Sequence, residues 1–454
     1  MIPWWVLAIA VFGTNFTLWG LIGLMRVLDT STRRWWQRRG KTAPADQSAV
    51  SGRYRLLTDP PRRPGVEDVA VLMAAHNEET VIVDSIQAIT ALVPPENVHV
   101  VSDGSTDRTV ELAQGCGVNV ISTARNVGKA GALQEAIRRF DLAGRFEVVM
   151  LLDADTHVDP GYFRAALPLF EDPDVVAVAG CVKTSWQDRA LGPIGKLVAF
   201  HRQRIYTMTQ YLLKFGQTWR RVNATHIVPG FASMYRTSVL PHIEVNPPGL
   251  VIEDFNMTFE VYQKRLGKVG FTPSAVAATQ DPGNLKDYVK QCKRWALGLW
   301  QTVRLHPPRV NLFSLMLALL LMEMLTSSVL LVLLPFVAAV LVVPELFSGV
   351  LAVPGVSEVH AFIAGFATLP SLLFGVLIPD LMLTCIVALL QRQPRFLLFG
   401  CFFLMLRVLD AAVALYAIPG AWLSKSSGRW RSPGRRAIDP VTSPVPPPAD
   451  LSAS

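Results

Sequence analysis

The residues best suited to chemistry lie in five short polar stretches. In chain order they are Ser102-Asp103-Gly104-Ser105-Thr106-Asp107, Asn126-Val127-Gly128-Lys129-Ala130-Gly131, Asp153-Ala154-Asp155, Ile252-Glu253-Asp254 and Gln291-Cys292-Lys293-Arg294-Trp295. Asp153 and Asp155 are one residue apart, and two carboxylates at that spacing repel unless a cation lies between them. Mg2+ or Mn2+ takes carboxylate and diphosphate oxygens together and neutralises charge on a departing diphosphate. The alternative is that Asp155 caps the turn leading to Pro160. Glu253 and Asp254 precede an apolar helical stretch, Phe255 to Tyr262. A carboxylate there either caps the helix or acts as general base on a hydroxyl. The glycines around Lys129 suit phosphate, through backbone N–H groups and positive charge, but the Walker A spacing is missing. Asp103, with its glycine and hydroxyls, reads as a capped turn or as an acceptor for the imide N–H of a uracil. Gln291 and Arg294 share a helical face, with Trp295 beside them. They form either an interfacial aromatic and basic belt or a clamp on a diphosphate and an acceptor.

These residues need a scaffold, and the hydrophobic pattern supplies one. Short apolar runs at Val69–Ala75, Val98–Val101, Val118–Ser122 and Val148–Leu152 read as strands. Helical spacing between them predicts helices over Glu78–Leu92, Thr106–Cys116 and Gly128–Phe140. This alternation means an α/β domain with a parallel, doubly wound sheet, whose ligands sit beyond the carboxyl ends of the strands. Asn77, Asp103, Asn126 and Asp153 each fall just after a strand, so four polar residues reach one edge.

Composition sets the wider frame. The chain has 454 residues, 51% hydrophobic and 17% charged, too apolar for an ordinary soluble enzyme and too charged to be all membrane. The net charge of +8 does not point to nucleic acid. Its clusters, Arg33, Arg34, Arg38, Arg39 and Lys41, then Arg429 to Arg436, flank apolar runs as juxtamembrane residues do, and no recognisable nucleic-acid module accompanies them. The cysteines Cys116, Cys181, Cys292, Cys385 and Cys401 show no metal spacing and read as reduced thiols.

Apolar runs predict about four transmembrane helices: Pro3–Met25, Leu312–Val343 with a possible kink at Pro335, one within Ala361–Leu390, and Phe396–Leu423. The last run sets the charge rule against length. If it spans, the basic tail lies outside; if it is re-entrant or interfacial, the tail stays inside. Spanning is the expectation here, from the length of the run. Glu323, Asp380, Arg407 and Asp410 lie at membrane depth, where charges need partners. Arg407 and Asp410 can pair locally at i, i+3, or the set can line a hydrophilic lane.

Taken together, the five stretches resemble the membrane-embedded processive glycosyltransferases of family 2, the synthases of cellulose, chitin, hyaluronan and poly-N-acetylglucosamine. The resemblance covers roughly Val66 to Thr302. It implies a GT-A fold, Rossmann-like with a mostly parallel sheet, and inversion at the anomeric carbon. By resemblance, Asp103 contacts the nucleoside, Asp153 and Asp155 form the DxD pair with Asp155 as metal ligand, and Asp254, preceded by Glu253, is the catalytic base. Gln291, Arg294 and Trp295 match QxxRW; many members have Arg where Cys292 stands here. Val228 to Arg236 resembles the segment beneath the acceptor sugar. Asn77, Glu78 and Lys129 join Asp103 on the donor side. The implied domains are an N-terminal anchor (1–30), a basic linker (31–65), the GT-A domain (66–306), a membrane region (307–423) and a basic Pro/Ser-rich tail (424–454). The implied reaction is metal-dependent transfer from a UDP-sugar to a growing β-linked polysaccharide. It would run from a cytoplasmic catalytic domain of a multi-pass plasma-membrane protein, with export or accessory proteins as possible partners. Addition of a single sugar to a glycolipid, or an inactive scaffold, are the competing expectations.

Overall fold

The structure is a computed structural model that describes residues 2–38, 63–185 and 191–423. Arg39, Lys41, most of the linker expected at 31–65, the Arg429 to Arg436 cluster and the tail after Ser424 lie outside the described residues.

The N-terminal apolar run, expected as one span, forms two helices, α1 (Trp4–Phe12) and α2 (Thr14–Arg38), which meet at a bend of 75°. Gly13 at the bend has φ +91°, and a Cβ there would collide with the Glu323 carboxylate. That carboxylate sits at the break. It accepts the Thr14 hydroxyl at 2.8 Å, the Asn15 backbone N–H at 2.8 Å and the Asn15 amide at 2.9 Å. An anion thus satisfies the first turn of α2, where backbone donors lack helical partners.

The central domain is built on an eight-stranded mixed sheet in the order β3-β2-β1-β4-β7-β6-β8-β5. In sequence the elements are β1 (Val69–Ala75), α3 (Ile82–Thr90), β2 (Val98–Ser102), α4 (Thr109–Gly115), β3 (Asn119–Ser122), α5 (Lys129–Arg139), β4 (Val148–Asp153), β5 (Thr156–Val158), β6 (Val175–Thr184), α6 (Pro193–Met208), β7 (Ala232–Arg236), α7 (Glu253–Gln263), β8 (Lys268–Thr279) and α8 (Leu285–Leu305). The first four strands are parallel, as expected. Beyond β4 the sheet departs from the all-parallel pattern: β7 is antiparallel to β4 and β6, and β5 is antiparallel to β8. Both faces of β1 are buried, which is why its sequence is continuously apolar. Val69, Val71 and Met73 face the α3 residues Ile82, Ile86 and Ile89. Ala70, Leu72 and Ala74 face Ala132, Leu133 and Ala136 of α5. Burying a Leu or Met side chain in this way contributes about 1.5–3 kcal/mol.

Helices α3 and α4 start later than their periodicity suggests, because the loops before them bond to each other. Asn77, at φ +54°, accepts the Thr106 backbone N–H at 2.8 Å and donates its own to Ser105 Oγ at 3.1 Å. Asp107 accepts the Thr109 N–H at 3.0 Å. The strands leave β1 in opposite directions, β2 to one side and β4 to the other, so the crevice between the ends of β1 and β4 is the switch point of the sheet.

The chain continues into α9 (Leu312–Leu346), the segment Leu369–Leu390, which ends in α10 (Ile378–Leu390), and α11 (Arg395–Leu423). These three helical segments are long and apolar enough to cross a membrane, and the α1–α2 pair would make a fourth. α9 runs unbroken through Pro335. Arg407 and Asp410, offered above as a local pair or as part of a lane, each meet partners elsewhere in the fold. Arg407 donates to Asp380 Oδ1 at 2.9 Å and to the Val11 carbonyl at 2.8 Å, and buried Arg204 of α6 meets the same Asp380 oxygen at 2.7 Å. Asp410 accepts the Tyr288 hydroxyl at 2.6 Å and lies 2.9 Å from His201 Nε2. The Arg407 bonds tie apolar helices to one another, while Arg204–Asp380 and the Asp410 contacts tie apolar helices to the central domain.

Candidate active site

The expected residues converge at the switch point. Register places Ala75 beside Ser102 and Ala74 beside Asp153, so the loops after β1, β2 and β4 leave the sheet side by side. Asp103 was expected to meet a nucleoside. Its carboxylate is instead fully buried and accepts the Val127 and Gly128 N–H groups at 2.8 and 2.9 Å and the Thr123 hydroxyl at 3.1 Å. Asp103 therefore holds the turn that starts α5. Gly104 makes this possible: at φ +59°, its site for a Cβ is 2.7 Å from the Arg125 carbonyl carbon and the Asn126 nitrogen. Glu78 is likewise wholly buried, with its backbone N–H on Thr109 Oγ1 at 2.8 Å. Asn77 ties loop to loop. Asn77, Glu78 and Asp103 are the frame of the site.

The start of α5 delivers Lys129 into the cleft. Its Nζ lies 2.7 Å from Asp153 Oδ1 and 3.0 Å from Glu253 Oε1, and donates to the Gly230 carbonyl at 3.3 Å. Burial alone would lower its pKa, but the Asp153 and Glu253 carboxylates together raise it above the ordinary lysine value. Glu253, expected to share catalysis, is buried and bound to Lys129.

Asp254 is different. Its Oδ1 accepts the Phe255 N–H at 2.7 Å, and its Oδ2 accepts the Gly230 N–H at 3.3 Å. Burial and the neighbouring Glu253 carboxylate push its pKa up to about 7, against the pull of Lys129 and the two N–H groups. A carboxylate of that basicity in a cleft is fitted to take a proton near neutral pH.

Asp155 lies in the turn between β4 and β5, 4% exposed, with the Thr156 and Thr279 hydroxyls each at 3.5 Å. The charge of Asp155 also helps to hold up the pKa of Asp281, after burial, the larger cause. Asp153 and Asp155 offer hard oxygen donors, and among the described residues no cluster of three or more His, Cys, Asp or Glu closes around a metal. That donor set fits Mg2+ or Mn2+, which are held by one or two carboxylates together with substrate phosphates rather than by a closed protein cage.

On α8 the arrangement differs from expectation. Gln291 and Trp295, four apart, share a partner that sequence reasoning missed, Arg202 of α6. Arg202 donates to Gln291 Oε1 at 2.5 Å and stacks at 4.2 Å over Trp295 and 4.7 Å over Tyr288. It also lies 3.9 Å from Asp281, which accepts the Tyr206 hydroxyl at 2.9 Å. Arg294 is not part of this contact set. Nothing in the local sequence marks Arg202, an arginine inside an ordinary helix. Asp281 had a weak signal: it opens Asp281-Pro282-Gly283, a turn just after β8.

Residues 64–298 match the model of the family described as glycosyltransferase like family 2. The chain is 25% identical over 279 residues to a poly-beta-1,6-N-acetyl-D-glucosamine synthase of Staphylococcus epidermidis, covering 58% of this chain and 63% of that protein. It is 26% identical over 239 residues to the synthase of the same name from Staphylococcus aureus, covering 51% and 55%. The chain thus spans roughly 55–63% of the length of these relatives. Among solved structures it is similar to a mannosyltransferase from Pyrobaculum calidifontis in complex with GDP-Man and Mn2+ (TM-score 0.48, 17% identity, 89% of this chain and 99% of that one). It is also similar to glucosyl-3-phosphoglycerate synthase from Mycobacterium tuberculosis (TM-score 0.35, 19% identity, 52% and 80%).

Proposed function

The chain belongs to glycosyltransferase like family 2, and from that premise we propose that it is an inverting, metal-dependent transferase that extends a β-linked polysaccharide from a UDP-sugar. The observation that carries this reading is the bridge made by Lys129. One ammonium joins Asp153, at the donor edge, to Glu253, the neighbour of Asp254. This bridge supports a reading in which the proton acceptor works next to the donor's diphosphate.

In the proposed mechanism Asp254 takes the proton of the acceptor hydroxyl. The freed oxygen attacks the anomeric carbon opposite the nucleotide, the bond from that carbon to the diphosphate oxygen breaks, and UDP leaves. Lys129, fixed in its raised, fully charged state, faces the growing negative charge, and Arg294 is the second cation for it. Asp155, with Asp153, would hold Mg2+ or Mn2+, which supplies further charge neutralisation to the diphosphate. Gln291 and Trp295, fixed by Arg202, would face the acceptor.

The reading implies a sugar of the hexose or N-acetylhexosamine class, and the names of the staphylococcal relatives support the latter. It implies a multi-pass protein of the plasma membrane with its catalytic domain in the cytoplasm, and export or accessory proteins as partners. A second reading, addition of one sugar to a lipid, is favoured by the ionic residues at membrane depth. Glu323, Asp380 and Arg407 are tied into pairs and caps, which does not resemble a lane for a polymer. Incubating purified membranes with a panel of labelled UDP-sugars tests both. Polymer or a ladder of products supports the first reading, one discrete lipid the second, and no metal-stimulated UDP release from any donor overturns both.

A further inference from the structure

A buried lysine that the proposed mechanism leaves unused, Lys214, feels the charge of Asp254. Lys214 ends a π-helical turn, Thr209–Lys214, that continues α6, and π turns often mark functional positions. The residue is 6% exposed. Among the described residues no carboxylate meets its ammonium, which lies 5.8 Å from the centroid of the Phe271 ring. An ammonium buried without a counter-charge is costly. Burial lowers its pKa to about 8, against the smaller raising effect of the Asp254 carboxylate. The loop that carries His226 is held, through Gln217, to the short helix that follows Lys214. Burial and the lysine push that imidazole down to about 4, so it is neutral, and its Nδ1 is buried without a partner.

The frame around these two groups is built rather than loose. Directly after Lys214 comes the short helix Phe215–Gln217. Gln217 holds the loop that carries His226: its carbonyl accepts the Ala224 N–H at 2.8 Å and its Oε1 the Thr225 hydroxyl at 3.2 Å. The same loop is bonded at Thr225 to the Tyr262 hydroxyl (3.1 Å), at Val228 to Thr258 Oγ1 (2.8 Å) and at Gly230 to Asp254 Oδ2 (3.3 Å). It runs from the turn of Lys214 to the base itself. The donor-side cation, Lys129, is held separately by Asp153 and Glu253. The apolar helix α2 closes the other side: Arg26 donates to the Phe215 carbonyl at 2.6 Å and the Phe271 carbonyl at 3.1 Å, and Gly216 packs on the Trp19 backbone.

We propose that Lys214 and His226 form an acceptor subsite for an anionic oxygen group, a phosphate or carboxylate, carried next to the hydroxyl that Asp254 deprotonates. Lys214 supplies the charge and His226 a neutral hydrogen bond. The proposal rests on the reading of Asp254 as the base. The group has two possible sources, the phosphate of a lipid-linked acceptor arriving along α2 and the carboxylate of an acidic sugar.

The test uses the full chain in nanodiscs with UDP and Mg2+ saturating the donor side. Inorganic phosphate and glucuronate are titrated separately by calorimetry into wild type, Lys214→Met and Lys214→Arg. Wild type is expected to bind at least one of them, Lys214→Met at least tenfold more weakly, and Lys214→Arg within threefold of wild type, with UDP affinity equal in all three. Tighter phosphate identifies the lipid source and tighter glucuronate the acidic sugar. Lys214→Met removes an unpaired buried charge, so its melting temperature should hold or rise. No anion binding by wild type, equal binding by Lys214→Met, or a loss of UDP affinity in Lys214→Met overturns the proposal. Failure of the underlying reading shows elsewhere, as full transfer activity in Asp254→Asn, and leaves the anion titration unchanged.

Discussion

Several acids crowd the site, and at the scale of the residue it is Lys129 that sorts three of them. Asp153 and Glu253 are neutralised by it, while Asp254 is left basic. Asp254→Asn is therefore expected to reduce transfer by about a thousandfold or more, the upper range for loss of a general base, with UDP affinity unchanged by calorimetry. Asp155→Asn should behave in the opposite way and lose the metal-dependent part of UDP binding. Unchanged metal dependence in that variant would end the assignment of Asp155. The pH profile follows from the same groups. The Asp254 carboxyl is raised to about 7 and acts only when ionised, so kcat/KM should climb as pH rises through about 7. Lys129 lowers that pKa, so Lys129→Met should move the limb to higher pH. An acid limb near pH 4 in both proteins would show that another group is the base.

Two elements act through geometry at the next scale. The turn after β2 needs glycine, because Gly104 combines φ +59° with backbone atoms 2.7 Å from where a Cβ would lie. Gly104→Val should cost about 1–3 kcal/mol and weaken UDP binding, since the displaced Asn126 turn sets Lys129. Thermal melting with and without UDP reads both effects. Helix α6 reaches α8 through Arg202, whose planar fork bonds Gln291 while its face stacks on Trp295. A lysine keeps the charge and loses both contacts. Arg202→Lys is accordingly expected to lower kcat roughly tenfold, equivalent to about 1.4 kcal/mol, with UDP affinity kept. A tenfold loss of UDP affinity instead would assign Arg202 to the donor side.

For the whole molecule, the lie of the last helix sets the side of the tail. α11 is 29 residues without a break, about 44 Å at 1.5 Å per residue, ample to cross a bilayer. Yet both its ends meet the central domain. Phe396 packs on Phe200 of α6, while Arg304 of α8 donates to the Ala421 carbonyl and Trp300 meets Trp422 at 6.0 Å. Between them Tyr288 bonds Asp410 and Lys293 lies over Tyr416. Contact with the domain at both ends of α11 is the observation that favours the re-entrant or interfacial alternative, the one that agrees with the charge rule. Ser426→Cys should resist an impermeant thiol reagent in intact cells and react in inverted membranes. Labelling in intact cells would establish that α11 spans.

What the sequence determined by itself was whatever local pattern dictates. The runs at Val69, Val98 and Val148 are apolar because both faces of those strands are covered, so strand positions, the doubly wound order and the arrival of Asp103, Lys129 and Asp153 at one edge were all legible, as was Glu253-Asp254 at the head of a helix. The antiparallel return of β7 was not, because pairing direction depends on contacts between segments some 80 residues apart. Nor were the roles of individual acids. Asp103 turned inward because two backbone N–H groups of a distant loop needed an acceptor, and Glu253 became a partner of Lys129 because α7 and α5 meet only in the fold. Arg202, Lys214 and the cross-fold pairs of Asp380 and Asp410 carry no sequence signature at all. Their chemistry comes from burial and from neighbours brought together in space, and only the tertiary structure decides either.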